Sequence, residues 1–563
     1  MTRAALFFVL ASILMVGPHI WPPTQLSDFP YDFTDGYIFL WNFWWTKKAV
    51  TDLVNPFYTD YLFYPLGTDL SFHSNPLTFS LISIPFQAAI PGPEGMAIAF
   101  NTIVLASFVL SGVGAYRLAL YVTGSGAGAL LSGLVFAFMP FRFLNMSRLH
   151  VLATELIPFY VLAFIRFLDQ PTWPRAFAVG AWLSVCFYTS LEYALYLCIF
   201  SGLLLFYRVG LRQVVVGKAF LSQIAAAAVV FTLFGSPLLL AQMTAIAETR
   251  VNAEYPIRAL NRWTPALLSF VTPTRYHPVY GRALRFAGEY GDDSGIHPPG
   301  MRSETYVGIT TLFLALLGVA EARRRRSLFW AVAAAAFLLL TLGPYLRLTG
   351  AWQTDWPLPY HLLYQVIPPL RGSRDSTRFF PMLMLSMAVL SSFGLGSILQ
   401  ACRGRALRVA ALSSFLALVL FEDLVPFPQM TRVAVDSHYW TIGREASDFA
   451  LIDLSFGKQA ALAQTVHGRR ITSGSLLVPR SASVESALWI ERDFRNPENA
   501  LSLPLEERIA RLDGDRAEIL RHRIGYVVYP GGTGPRHRLA RLLGARVTLR
   551  PPLVFCRFDP ARW

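Results

Sequence analysis

Acidic side chains gather in one early stretch of the chain, residues 28–75, which also carries an aromatic run. Asp28, Asp32 and Asp35 fall within eight residues and precede the sequence WNFWW. Four more polar side chains follow in the same stretch: Asp60, Asp69, His73 and Asn75. A carboxylate held within hydrogen-bond reach of a hydroxyl can take its proton as that hydroxyl attacks an electrophile. The stretch therefore predicts the catalytic loop of a membrane enzyme.

The aromatic run predicts a helix with one aromatic face. Five side chains recur at steps of three and four residues, which places them on one side of a helix: Tyr37, Trp41, Trp44, Trp45 and Lys48. Tryptophan and tyrosine are enriched at membrane–water interfaces, where the ring lies in the acyl region and the N–H or O–H in water. We therefore expect this helix to lie along the membrane surface, just outside the first span.

A structural role explains each single aspartate equally well. Asp32 or Thr34 can cap the helix, and Asp35 in its first turn complements the backbone N–H groups and the helix dipole. Capping gives no reason for the further polar residues between 60 and 75. Both interpretations stay open for any one aspartate, and the whole set favours catalysis.

Two later segments place charged side chains on the same side of the membrane as this loop. The turn FRFLNMSRLH carries Arg142, Arg148 and His150, and basic residues in an outer turn run against the positive-inside rule, which favours a phosphate partner. Glu192 lies between two tyrosines where two spans meet, and an ionisable group at membrane depth is a functional candidate. Alternatively, Glu192 pairs with Arg142 or Arg148 and holds helices together.

A third segment, RGSRDSTRFF, is rich in arginine. Arg371, Arg374 and Arg378 fall on one face if the segment is helical, and the guanidinium fork suits bidentate contact with phosphate. Anchoring of a helix at the interface explains the same residues. In the loop 242–303, the pair Asp292 and Asp293 is a weak metal candidate, since most such pairs in glycine-rich turns are solvated.

Composition identifies a polytopic membrane protein. Apolar residues make up 54% of the 563 residues and charged residues only 15%, against about a quarter in soluble proteins. The net charge of +14 does not form a stripe that would bind nucleic acid, because the excess lies in short loops between apolar spans and in the tail. The four cysteines are spread out and predict neither a metal site nor a disulfide framework.

The elements that must position these residues are about eleven transmembrane helices. The predicted spans are 4–20, 95–121, 126–140, 149–168, 174–190, 191–208, 217–241, 304–321, 327–343, 377–399 and 406–425. Basic residues fall in every inside turn when the N-terminus is cytoplasmic. That orientation puts the first outer loop, 21–94, the second, 242–303, and the loop 344–376 on the outer face. The apolar segment 77–91 is short and broken by Pro85, which favours a re-entrant or interfacial helix.

A change of composition after Pro426 divides the chain into a transmembrane domain, 1–425, and a soluble domain, 426–563. Short strands are predicted at FALIDLSF, IGYVVYP and RVTLRPPLVFCRF, and amphipathic helices at 505–523 and 535–543. The fold class is therefore a helical membrane protein with a C-terminal α/β domain on the outer face.

The chain resembles the bacterial multi-pass glycosyltransferases of the C-type (GT-C) fold, including families related to YfhO. The resemblance lies in DFTDGYIFLWNFWW with NPFYTDYLFYPLG, in the run of spans, in RDSTRFFPMLML and in the C-terminal domain. It implies a sugar donor carried on polyprenyl phosphate and an aspartate of the first outer loop as base or metal-orienting group. Asp35, in TDG, matches that aspartate best and Asp32 second. A divalent cation is left open, since the first loop has no DE pair and no later loop has a clear DxD.

The leading hypothesis is a glycosyltransferase of the bacterial inner membrane, with a periplasmic or extracellular C-terminal domain. It would move a sugar to a glycan, lipid or protein acceptor, with Asp35 as general base. The predicted substrate- and phosphate-binding residues are Arg142, Arg148, His150, Glu192, Arg371, Arg374, Arg378, Trp41 and His73. The alternatives are a transporter or flippase for lipid-linked glycans and a structural envelope protein. The hypothesis requires the loop acids and the arginines to meet at one pocket.

Overall fold

The chain folds into two compact units, each built from separate segments. The computed structural model describes residues 2–27, 35–248, 255–260, 263–281, 303–320, 327–349, 353–373, 375–426, 430–455, 458–473, 488–531 and 534–559. The first unit comprises 1–31, 101–237 and 254–431, and the second comprises 32–100, 238–253 and 432–563.

Helices occupy all the predicted apolar spans. They are Thr2–Val16, Pro93–Thr123, Gly126–Phe138, Leu156–Asp169, Trp173–Thr189, Leu191–Gly210, Lys218–Ala247, Ile309–Ala320, Leu328–Thr341, Phe380–Ala401 and Arg405–Glu422. Within the described residues, six segments are long and apolar enough to cross a membrane: 93–123, 126–144, 149–169, 191–210, 218–247 and 376–401. The polytopic helical architecture therefore agrees with the prediction, while the number of eleven crossings stays a prediction.

Small residues let the helices of the first unit approach closely. A side chain on Gly394 would begin 1.9 Å from the carbonyl oxygen of Leu314, and one on Gly318 would begin 2.2 Å from that of Leu390. The helices Ile309–Ala320 and Phe380–Ala401 therefore cross backbone against backbone, as small residues allow in membrane helix pairs.

The second unit is built around a four-stranded sheet. Its strands are Ala450–Asp453, Ile524–Pro530, Leu553–Arg557 and Arg546–Arg550, in that spatial order. The first two are parallel and the other pairings are antiparallel, with Phe555 opposite Val528. Strands and helices lie where the sequence predicts them, including Leu505–Arg521 and Pro535–Leu542. The remaining helices here are Ser437–Gly443, Gln459–His467, Trp489–Arg495 and Glu498–Leu501.

Both faces of this sheet are apolar, so both need a cover. On one face, Val527 and Val554 pack against the helices between 489 and 543. On the other face, Val528 and Phe555 belong to a core that also contains Trp41 and Trp45 of the first loop. The C-terminal residues therefore share one of their cores with the first outer loop.

The first loop contributes two helices and a hydrogen-bonded backbone segment to this unit. Its helices are Asp35–Asp52, here named the tryptophan helix, and Leu77–Ala89. The segment 61–64 forms backbone hydrogen bonds with Ile471 and Ser473, and Ile471 is bridged to Leu451 of the sheet. Backbone pairing thus extends the sheet with a piece of the first loop. That 77–91 forms a re-entrant or interfacial helix stays a prediction.

Candidate active site

Asp35 is the first residue of the tryptophan helix, and its carboxylate is paired with Lys458. The Lys458 Nζ donates to Asp35 Oδ1, and the side chains are 11% and 19% exposed, respectively. A charge-assisted hydrogen bond of this kind fixes the orientation of the carboxylate. Asp35 also places its negative charge in the first helical turn, so the capping interpretation and the catalytic one both agree with its position.

The aromatic side chains behind Asp35 lie in a protein core. Trp41 is 0% exposed and Trp45 is 2% exposed, and both belong to the core they share with the sheet. The Trp41 Nε1 donates to Gln464 Oε1 at 2.7 Å, and the Trp45 Nε1 donates to the Pro56 carbonyl at 3.0 Å. The expectation that this face meets the membrane surface is therefore wrong. The helix and its shared face are confirmed, and the protein supplies the cover that we expected from lipid.

Burial also argues against direct substrate contact by Trp41 and His73. Trp41 has no exposed surface, and His73 is buried with its Nε2 2.8 Å from Asn42 Oδ1. The Asn42 Nδ2 in turn donates to the Ser74 carbonyl at 3.1 Å. The side chains of Trp41 and His73 instead connect the tryptophan helix to other segments of the second unit.

Arg142 is fully buried in the first unit, which argues against its predicted contact with phosphate. Its Nη2 donates to Ser107 Oγ at 2.6 Å, and its Nη1 to the Ala137 carbonyl at 3.0 Å. The Ser107 hydroxyl donates to Glu155 Oε2 at 2.5 Å, which links the guanidinium to a buried carboxylate. Arg142 also lies over the ring of Phe108, 4.0 Å from its centre. The network joins helices rather than facing a substrate.

Glu192 and Arg378 pair with each other. The Arg378 Nη1 donates to Glu192 Oε2, and the two side chains are 18% and 19% exposed. The pairing of Glu192 with an arginine agrees with the structural alternative, although the partner is neither Arg142 nor Arg148. A phosphate reaching Arg378 would have to share the guanidinium with this carboxylate.

The predicted common face of Arg371 and Arg378 is wrong. Arg371 lies in the 3-10 turn Pro368–Gly372, and Arg378 lies in a second one, Ser376–Phe379. The backbone is extended at Ser373 and again at Asp375, whose side chain caps the second turn, so the two turns are separate. Arg371 instead uses its Nη2 to donate to the Gln365 carbonyl at 3.0 Å.

The other predicted residues are placed as follows. Arg148 is half-buried, with its Nη1 3.5 Å from Asn145 Oδ1, and His150 is half-buried in the short helix Leu149–Leu152. Asp32, Arg374, Asp292 and Asp293 lie outside the described residues. Within the described ranges, no group of three His, Cys, Asp or Glu side chains fits a metal ion. The predicted meeting of Asp35 with the arginines stays a prediction.

Buried polar groups lie at the end of the first sheet strand. Asp453 accepts hydrogen bonds from the Ser455 N–H at 2.9 Å and from the Tyr439 hydroxyl at 2.8 Å. Burial raises the pKa of Asp453 and, together with Arg469, lowers the pKa of His467 to about 3. His467 is the last residue of the helix Gln459–His467 and is buried.

Sequence reasoning missed Lys458 and Gln464. One local signal was available, since a lysine directly before a helix runs against the preference for acidic residues at helix starts. A cation at that position suggests an anionic partner elsewhere in the chain. Nothing local identifies that partner as Asp35.

No family model and no curated relative match the chain. Among solved structures, it aligns over 95% of its length with 69% of an oligosaccharyltransferase from Archaeoglobus fulgidus in complex with Zn and sulfate, at a TM-score of 0.51 and 13% identity. ArnT from Cupriavidus metallidurans bound to undecaprenyl phosphate aligns over 98% of this chain and 97% of that one, at a TM-score of 0.49 and 10% identity. The fold expected from the sequence is confirmed: the chain has the fold of the C-type membrane glycosyltransferases.

Proposed function

We propose that this protein transfers a sugar from a polyprenyl-phosphate-linked donor to a hydroxyl or amide group of an envelope glycan, lipid or protein, with Asp35 as the general base. The oligosaccharyltransferase fold supports a transferase in general. The basic residues of the predicted inside turns support a reaction on the outer face of a bacterial cytoplasmic membrane.

The observation that carries the proposal is the environment of Asp35. The next six residues of its helix, 36–41, are all buried, whereas Asp35 keeps 19% of its side chain exposed. Lys458 fixes the carboxylate at that exposed position. A general base needs this combination of access for the acceptor and a defined orientation toward it.

The reaction begins at the nucleophilic group of the acceptor. Asp35 accepts its proton while the acceptor atom forms a bond to the anomeric carbon of the sugar. The bond between that carbon and the phosphate oxygen breaks, and the lipid phosphate leaves with the electron pair. Negative charge grows on the leaving phosphate, and cationic donors stabilise such charge. Arg148 and Arg371 remain our candidates for that role, because both are half-buried rather than enclosed.

A divalent cation stays open, because the candidate ligands Asp292 and Asp293 lie outside the described residues.

The test replaces Asp35 with asparagine. Purified protein in nanodiscs is given a panel of radiolabelled polyprenyl-phosphate sugars and acceptors, and product is counted. Asp35→Asn is expected to lose about 10²–10⁴-fold in turnover, the usual contribution of a general base. Turnover is compared per amount of folded protein, because asparagine keeps the shape of the side chain but leaves Lys458 without its charged partner. Asp60→Asn is the control, since Asp60 is 44% exposed and pairs with Arg470. Wild-type turnover in Asp35→Asn would overturn the assignment.

A further inference from the structure

We propose that Lys458 is a positioning residue for Asp35, so that the C-terminal segment sets the orientation of the base. This inference rests on the proposed function and extends it to a residue far along the chain. Its basis is the ion pair between Lys458 Nζ and Asp35 Oδ1 and the packing that holds both groups in place.

Two helices carry this pair side by side. The tryptophan helix begins at Asp35, and the helix Gln459–His467 begins directly after Lys458. A second link joins Trp41 to Gln464, and the two links are the same number of residues apart on both helices. The helices therefore run in the same direction, with Lys458 aligned on Asp35.

Packing between the helices is tight enough to hold this alignment. Small residues of the second helix, Ala460, Ala461 and Ala463, lie in the same core as Trp41 and Trp45. Alanines allow two helix backbones to approach closely, and a core packed to normal density resists sliding. The position of Lys458 relative to Asp35 is thus set by buried contacts.

Gln464 holds the two helices together at the end away from the ion pair. Its Oε1 accepts from Trp41, and its Nε2 donates to the carbonyls of Tyr61 at 2.6 Å and Arg469 at 2.8 Å. All of these partners belong to the second unit. A side chain satisfied on every side cannot exchange partners without losing several hydrogen bonds.

The chemical consequence concerns the geometry of proton transfer. Lys458 acts on one oxygen of the carboxylate and so restricts rotation of the whole group. The oxygen of a general base must lie within about 2.6–3.2 Å of the atom that carries the proton, so a rotated carboxylate loses the reaction even when substrate is bound. Lys458 itself need not touch substrate.

The experiment compares Lys458→Met with Lys458→Arg in the full-length protein. Methionine keeps the length of the stem and removes the charge, whereas arginine keeps the donor. Lys458→Met should lower kcat by about 10–100-fold with KM for the donor changed less than about 2-fold, the pattern of misplaced catalytic geometry. Lys458→Arg should recover most of this loss. A fall confined to KM, or no recovery with arginine, would overturn the inference.

A matched control separates positioning from general loosening. Arg470→Gln removes the link from Arg470 Nε to Asp60 Oδ2, 2.8 Å long, which joins the same two parts of the chain without touching Asp35. Arg470→Gln should keep wild-type kcat. An equal fall of kcat in Arg470→Gln and Lys458→Met would mean that any weakened link has the same effect, and the positioning role would be wrong.

Asp35→Asn, measured alongside, distinguishes the two failures. If Asp35→Asn is inactive and Lys458→Met retains wild-type kcat, this inference fails and the proposed function stands.

If the wild type transfers no sugar, the proposed function fails, and hydrogen exchange still tests the ion pair. Lys458→Met should then speed exchange of the amides of 39–42, the first internally bonded turn of the tryptophan helix, and Arg470→Gln should not. Unchanged exchange in Lys458→Met would overturn the anchoring.

Discussion

Arg142 is a charged side chain without exposed surface, and its neighbours balance its charge. Ser107 lies between it and Glu155, so the guanidinium and the carboxylate are joined through one hydroxyl. Removing one member of a buried charged network leaves the other charge uncompensated. The network is therefore a sensitive point of the first unit.

Glu155→Leu should destabilise the protein strongly. The cost of an orphaned buried charge is about 3–5 kcal/mol. The measurement is thermal unfolding in detergent, followed by tryptophan fluorescence. Arg208→Gln serves as the control, because it breaks a more exposed pair with Asp169, for which about 0–1 kcal/mol is expected. Similar losses in both variants would contradict the assigned network.

Asp515 makes stability depend on pH. Burial, followed by the nearby charge of Asp493, raises the pKa of Asp515 to about 8. The unfolded chain releases this proton near pH 3.9, so the folded state binds more protons between about pH 4 and 8 and loses stability as the pH rises. Asp515→Asn removes this loss. The difference in unfolding temperature between Asp515→Asn and the wild type should therefore increase in favour of the variant as the pH rises from 5 to about 9.

The control for Asp515 is Asp513→Asn, which changes an acid that is 62% exposed on the same helix. It should follow the wild-type pH dependence. Parallel curves for wild type and Asp515→Asn would show that Asp515 does not titrate with a raised pKa.

At the scale of elements, Gly394 and Gly396 lie on the same helix, Phe380–Ala401, but substitution should affect stability differently at the two positions. Only Gly394 lies at the crossing with Gly318. Gly394→Ala places a methyl group 1.9 Å from the Leu314 carbonyl oxygen, whereas nothing lies within 4 Å of a methyl group on Gly396. The first change should cost about 1–3 kcal/mol through forced separation of the helices. The second should be neutral or stabilise by about 0.5–1 kcal/mol, because alanine favours the helix. Thermal unfolding of the two variants decides the point.

The sequence predicts most elements correctly and fails at their partners. The spacing of Trp41 and Trp45 predicts one apolar helix face, and that face exists. Periodicity reports that a face is apolar and does not report whether lipid or protein covers it. The arginine face fails for a different reason, since extended backbone at Ser373 and Asp375 divides the assumed helix into two short turns.

At the scale of the molecule, the first loop contributes to the core of the C-terminal sheet. Trp41→Ala removes a fully buried indole from a core that includes Val528 and Phe555, and such changes cost about 3–5 kcal/mol. We expect faster hydrogen exchange in the strands Ile524–Pro530 and Leu553–Arg557, far along the chain from the change. Trp173→Ala, at a half-exposed position of the first unit, should leave these strands protected. Protection retained in Trp41→Ala would contradict the shared core.

The candidate site is only half predictable from the sequence. Asp35 stands out because acidic residues cluster beside an aromatic run, and local composition shows that much. No comparable cluster of residues marks Lys458 in the sequence. Its pairing with Asp35 depends on the parallel packing of two helices from opposite ends of the chain. Pairings of this kind are fixed by tertiary packing, which local propensities do not encode.

The hydrogen bond between Trp41 and Gln464 has a consequence for biosynthesis, since 423 positions separate its partners. At about 5–20 residues per second, a ribosome needs roughly 20 to 85 s to cover that interval. Throughout this delay the indoles of the nascent chain lack their final neighbours and need a temporary shelter, either lipid or a chaperone. Premature termination before Gln464 leaves them permanently unsheltered, and such truncated products should be prime targets for quality-control proteolysis.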